Sequence, residues 1–125
     1  MAMNFSVRQI DHVEVFVSDI ARAKEWYERV LGLQEIVRWD PEPVMIGAGG
    51  TKLALFRGEK KQNAKAERAG WHRVAWLTDQ KSFASAQDHL RSLGISFRGP
   101  VDHGIAQSIY FSDPDENLLE ITFYL

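Results

Sequence analysis

The chain has 125 residues, 45% of them hydrophobic, with four Trp and seven Phe. That is enough for one compact domain with a substantial core. A formal net charge of −2 and a pI near 6.1 give no electrostatic footprint for nucleic acid or an anionic membrane surface. The absence of cysteine excludes disulfides, thiolate metal sites and a cysteine nucleophile. No apolar run approaches the roughly 20 residues of a membrane helix. The start, Met1-Ala2-Met3-Asn4-Phe5-Ser6, lacks the basic and apolar regions of a secretory signal. A soluble, cytoplasmic protein is the expectation.

The first predicted element is an alternating strand over residues 10–17, in the run Asp11-His12-Val13-Glu14-Val15-Phe16-Val17-Ser18-Asp19. Alternation puts Val13, Val15 and Val17 on one face and His12, Glu14 and Phe16 on the other. A helix over 20–31 follows, with Ile20, Ala23, Trp26, Tyr27, Val30 and Leu31 at helical spacing. Ser18 or Asp19 caps its start, and Gly32 suits the left-handed residue past its end. Three short strands are expected at 34–39, 44–47 and 52–57, punctuated by Pro41, Pro43, Gly47, Gly49 and Gly50.

Sixty residues after the first strand comes Trp71-His72-Arg73-Val74-Ala75-Trp76-Leu77-Thr78-Asp79, with a histidine and a Thr-Asp cap pair in matching places. Leu31-Gly32-Leu33 likewise matches Leu93-Gly94-Ile95. The chain therefore reads as one βαβββ unit written twice. The second copy has a helix over 80–93 and strands near 96–98, 108–112 and 118–125. The expected organisation is a single domain over 1–125, with module one at about 8–58, a polar linker at about 59–69 and module two at about 70–125. The fold class is α+β: two βαβββ modules, each with its helix packed on one face of its strands. A linker of this length spans roughly 40 Å when extended. It permits the copies to pair within one chain or across two.

In the second copy, alternation groups His72, Val74 and Trp76 against Arg73, Ala75 and Leu77. On the final strand Leu118, Glu120, Thr122 and Tyr124 oppose Leu119, Ile121 and Phe123. His12, His72 and Glu120 thus fall on faces turned from the helices, in otherwise apolar strands. One such histidine alone reads as an edge residue or a hydrogen-bonded core group. Two at matched positions, plus a carboxylate on the closing strand, point to a site for a divalent metal ion.

These pieces resemble the vicinal-oxygen-chelate superfamily of glyoxalase I, extradiol dioxygenases, fosfomycin-resistance transferases and bleomycin-binding proteins. The resemblance rests on the His-bearing first strand, Trp26-Tyr27 before Val30-Leu31-Gly32-Leu33, and Tyr110-Phe111-Ser112-Asp113-Pro114-Asp115-Glu116-Asn117-Leu118-Leu119-Glu120. It implies a cleft between the two sheets, with His12, His72 and Glu120 as ligands to a divalent ion (Fe, Mn, Zn or Ni). The fourth ligand position of the glyoxalase pattern falls on Ala54, which counts against glyoxalase I activity. Glu14, two residues from His12, is a candidate acid/base group or outer ligand. The alternative for it is an ordinary rim carboxylate.

The run Val101-Asp102-His103-Gly104, with Ile109-Tyr110, Asp113-Pro114 and Glu120, is similar to the extradiol signature. Glu116 stands where that signature has Gly or Pro. The resemblance makes His103 and Tyr110 donors to substrate or oxygen, although the family's further acid/base histidine has no counterpart in Thr51-Lys52-Leu53. The fosfomycin transferases fit less well, because Glu14 replaces their metal-facing threonine. Trp76, Phe16, Trp39 and Phe56 are candidate pocket walls.

The expected function is a metal-dependent enzyme acting on a small molecule chelated through vicinal oxygens. Ring-cleaving dioxygenase chemistry is favoured over lyase or isomerase chemistry. A metal-free ligand-binding protein of the bleomycin-resistance kind is the other alternative, opposed by the intact ligand set. A homodimer is the expected assembly, with the modules paired either within each chain or across the two chains.

Overall fold

A computed structural model describes residues 4–58 and 70–125. The linker expected at 59–69 lies outside the described residues. The chain divides into two compact units, Met1–Glu59 and Lys60–Leu125.

The first unit runs β1 (His12–Val17), α1 (Ile20–Leu31), β2 (Gln34–Arg38), β3 (Val44–Ala48) and β4 (Thr51–Arg57). Its strands form one mixed sheet in the order β1-β4-β3-β2. β1 and β4 are parallel, and the other neighbours are antiparallel. Asp19 starts α1, its carboxylate accepting from the Arg22 N–H at 3.1 Å. Gly32, at φ +70°, ends it, so the Gly32 and Leu33 amides return to the Glu28 and Tyr27 carbonyls. Ala23, Trp26, Tyr27 and Val30 are the buried face of α1. They meet β3 and β4, where Ile46, Leu53 and Leu55 are at most 2% exposed. β1 is an edge strand. Val17 is buried, yet Val13 is 37% exposed. Gly49, at φ +59°, supplies the left-handed turn of the β3–β4 hairpin.

The second unit runs β5 (Val74–Leu77), α2 (Gln80–Ser92), β6 (Arg98–Asp102), β7 (Ala106–Ser112) and β8 (Leu118–Tyr124). Its sheet order, β5-β8-β7-β6, repeats the first, again with one parallel pair, β5–β8. Asp79 caps α2 by accepting from the Ser82 N–H at 2.7 Å. Phe83 packs on Phe123 with ring centroids 4.8 Å apart. Leu90, Ile109, Leu119 and Ile121 complete this core.

The sequence expects β6 near 96–98, but the strand is Arg98–Asp102 and includes Pro100. Pro lacks a ladder donor, so it is tolerated here because β6 is an edge strand whose register slips between Arg98 and Val101. In the β7–β8 turn the buried Asp113 accepts from the Asp115 and Asn117 amides at 2.9 Å and from the Asn117 side chain at 2.8 Å. This network explains the Asp-Pro-x-x-Asn spacing. Glu116 takes φ +65° in that turn, where glycine is the strain-free residue.

Candidate metal centre

In the first unit, His12 and Glu14 share the β1 face that carries Phe16. Parallel pairing sets them opposite Lys52 and Ala54 on β4. Side chains directly across a ladder share a face. The His12 ring is held at both nitrogens: Nδ1 lies 2.8 Å from Asp11 Oδ2, and Nε2 lies 3.0 Å from Glu14 Oε2. Lys52 Nζ donates to the other Asp11 oxygen at 2.9 Å. The result is a chain of alternating charge: Lys52, Asp11, His12, Glu14.

Both imidazole nitrogens can donate only in the protonated ring. Accordingly the His12 pKa is raised, first by the Asp11 hydrogen bond and then by that to Glu14, against a smaller opposing desolvation. The Asp11 carboxyl is held below the usual carboxylate range, first by His12 and then by Lys52. In the neutral ring, Asp11 accepts from Nδ1–H and leaves the Nε2 lone pair for an ion beside the Glu14 carboxylate. Such an imidazole–carboxylate pair fits a borderline or hard divalent cation.

In the second unit, Glu120 sits on β8 between Tyr110 of β7 and Ala75 of β5. The fully buried Ser108 hydroxyl approaches Glu120 Oε2 at 2.6 Å and Thr122 Oγ1 at 2.9 Å, and Thr122 Oγ1 lies 3.0 Å from the Gln107 carbonyl. Two hydroxyl protons serve three contacts. The charged acceptor forms the stronger bond, so Ser108 donates to Glu120. One carboxylate oxygen is thereby fixed. Tyr110 is engaged on three sides. Its hydroxyl is 2.6 Å from His103 Nε2, and the guanidinium carbons of Arg73 and Arg98 each lie 4.4 Å from its ring centroid.

The face assignment of β5 needs correction. The register pairs Val74 with Leu119 and Trp76 with Ile121, so these join the helix-side residues, while Ala75 lies beside Glu120. A one-residue shift in pairing exchanges the two faces. Trp76 therefore leaves the candidate pocket wall. His72 lies two residues before β5 and is exposed, so no ladder pairing fixes its face. Phe16 and Trp39 are 67% and 51% exposed. Among the described residues, no cluster of three or more His, Asp or Glu side chains is arranged to hold an ion. A depression of about 470 Å³ lined by Arg91, Gly94, Ile95, Ser96, Phe97 and Gly99 carries none of the candidate residues.

Sequence reasoning passed over Asp11, Lys52, Arg73, Arg98 and Ser108. Asp11 was available from its adjacency to His12, and Ser108 from its i, i+2 relation to Tyr110. Lys52, Arg73 and Arg98 depend on strand register, which is non-local.

A family model for the Glyoxalase/Bleomycin resistance protein/Dioxygenase superfamily matches residues 9–121. The chain is 32% identical over 126 residues to virulence protein STM3117 of Salmonella typhimurium, covering 95% of this chain and 86% of that protein. The crystal structure of that protein superposes with a TM-score of 0.76 at 31% identity, over 97% of this chain and 100% of the other. The glyoxalase domain-containing protein RDO1 of Mycosarcoma maydis is also 32% identical, over 95% of this chain and 70% of its own length. Biphenyl-2,3-diol 1,2-dioxygenase 2 of Rhodococcus globerulus is 28% identical over 88% of this chain, which spans 60% of that enzyme.

Proposed function

The chain belongs to the Glyoxalase/Bleomycin resistance protein/Dioxygenase superfamily, and from that premise we propose that it is a metal-dependent enzyme whose ion is held by His12, His72 and Glu120. Its substrate is a small molecule that chelates the ion through two adjacent oxygens, and ring-cleaving dioxygenase chemistry is the favoured reaction. The observation that carries this reading is the row of Glu120 and Tyr110 on adjacent strands, with His103 hydrogen-bonded to the phenol at 2.6 Å. A bound divalent ion supplies Lewis acidity and, if it is iron, a route to dioxygen.

The chain's own residues then have distinct tasks. Asp11 keeps Nδ1 of His12 protonated and Nε2 available. Ser108 fixes the Glu120 carboxylate. The His103–Tyr110 pair holds a proton at the phenol oxygen and can pass it to a reacting oxygen. Glu14 is a base beside His12.

A second reading, a lyase or isomerase of glyoxalase type, draws on Glu14. It places a carboxylate directly opposite Ala54, where the glyoxalase-like acid is missing. Oxygen uptake separates the two. Iron-loaded protein given catechols should consume dioxygen and yield yellow ring-opened products. Turnover of a 2-oxoaldehyde–thiol adduct without oxygen uptake would favour the lyase.

For assembly, we propose a homodimer in which modules pair across chains. Support comes from apolar side chains on the ligand faces: Phe16 is 67% and Leu77 is 74% exposed. Co-refolding His12→Ala with Glu120→Ala protein should restore roughly a quarter to a half of the metal sites in a pairing of two modules per site. No restoration would place each site within one chain.

A further inference from the structure

We propose that Arg73, Arg98 and Tyr110 form an anion subsite that selects substrates bearing a carboxylate beside the chelating oxygens. Both guanidinium carbons sit 4.4 Å from the Tyr110 centroid. Stacking uses the flat face of a guanidinium and leaves its N–H donors free at the edge. Among the described residues neither guanidinium has a carboxylate partner, whereas those of Arg29, Arg38 and Arg91 each contact Asp or Glu. Arg73 Nε is also buried and has no hydrogen-bond partner among the described residues. A buried donor without an acceptor is costly, which favours a ligand that brings one.

Charge points the same way. Tyr110 carries two arginines at its ring and His103 at its hydroxyl. The carboxylate nearest to it along the row is Glu120, one of whose oxygens already accepts from Ser108. The cluster is therefore rich in donors and short of acceptors. A planar carboxylate matches a guanidinium edge in two parallel hydrogen bonds, which a phenol or an alcohol cannot do. The partner is a small aromatic or aliphatic acid. Its carboxylate takes the arginine edge, and its vicinal oxygens extend along the row towards Glu120.

This inference rests on the proposed metal-dependent function only for the far end of the bound molecule. The test therefore measures the two parts separately. Calorimetry with zinc-loaded protein should show 2,3-dihydroxybenzoate binding at least about tenfold tighter than catechol, equivalent to about one charge-assisted hydrogen bond. Arg98→Gln and Arg73→Gln should each bring that ratio to about threefold or less with catechol affinity unchanged, and Arg98→Lys should fall between. Benzoate should perturb the metal-free wild-type protein and not metal-free Arg98→Gln protein. Far-UV circular dichroism and urea midpoints verify that the variants fold. Equal affinity for both diols in the wild-type protein would overturn the subsite, as would variants that weaken both diols alike. Retained carboxylate selectivity in protein that takes up no zinc would remove the metal reading and leave the subsite standing.

Discussion

Glu14 stands directly opposite Ala54 across the parallel β1–β4 ladder. In the second unit the same kind of pair is reversed, with Ala75 opposite Glu120. Each unit thus has one carboxylate in its parallel pair, on the first strand in one unit and on the last in the other. Glu14 also hydrogen-bonds the His12 ring at 3.0 Å. If it serves the ion with His12, Glu14→Gln should weaken divalent-ion binding by about 10- to 100-fold. Competition against a fluorescent chelator measures this, and unchanged affinity would make Glu14 a rim carboxylate.

Ser108 is the buried support of Glu120. Ser108→Ala leaves Glu120 Oε2 and Thr122 without that hydroxyl. The expected loss is about 1–3 kcal/mol in urea unfolding, together with a weakening of ion binding by about tenfold or more. Ser108→Thr, which keeps the hydroxyl, should retain most of both. Ion binding that ignores Ser108→Ala would show that Glu120 is oriented by other contacts.

Glu116 occupies the left-handed region at φ +65°. An L-residue there is disfavoured by roughly 1–2 kcal/mol, partly offset for glycine by its larger unfolded-state entropy. Glu116→Gly should therefore stabilise the protein by about 0.5–1 kcal/mol. A lower urea midpoint for the variant would mean that side-chain contacts of Glu116 outweigh the backbone term.

Asp79 caps α2, and its carboxyl is held below the usual range, first by the Ser82 backbone N–H and then by the Ser82 side chain. A lowered folded pKa means that the unfolded state binds protons more readily. The stabilisation is fully present above the unfolded value near 3.9 and is lost as pH falls through the lower folded value. Asp79→Asn does not titrate, so its stability should fall less steeply than the wild type between about pH 5 and pH 3. Parallel urea-midpoint slopes over that range would contradict this account of the cap.

Much of the fold was legible because its signals are local. The apolar spacing from Ile20 to Leu31, the Asp19 cap and Gly32 define α1 with the expected ends. The matched Asp79 and Gly94 announce the repeat. β6 lies later in the chain than expected, because an edge strand absorbs Gly99 and Pro100. The face of Trp76 was misread because alternation fixes faces only relative to one another; the pairing with β8 sets which face meets the helix. The same non-locality hid Lys52, which reaches Asp11 from 41 residues away. His103 and Tyr110 were legible as a pair only through the resemblance, since the turn of chain that joins them is not visible in their spacing.

The most direct test of the central claim is the metal content of protein purified without added metal and then equilibrated with Fe(II), Mn(II) or Zn(II) at micromolar concentration. About one tightly held ion per chain is expected for the wild type, falling to near background in His12→Ala, His72→Ala and Glu120→Ala proteins that remain folded. No ion uptake by the wild type, or undiminished uptake by all three variants, would contradict it.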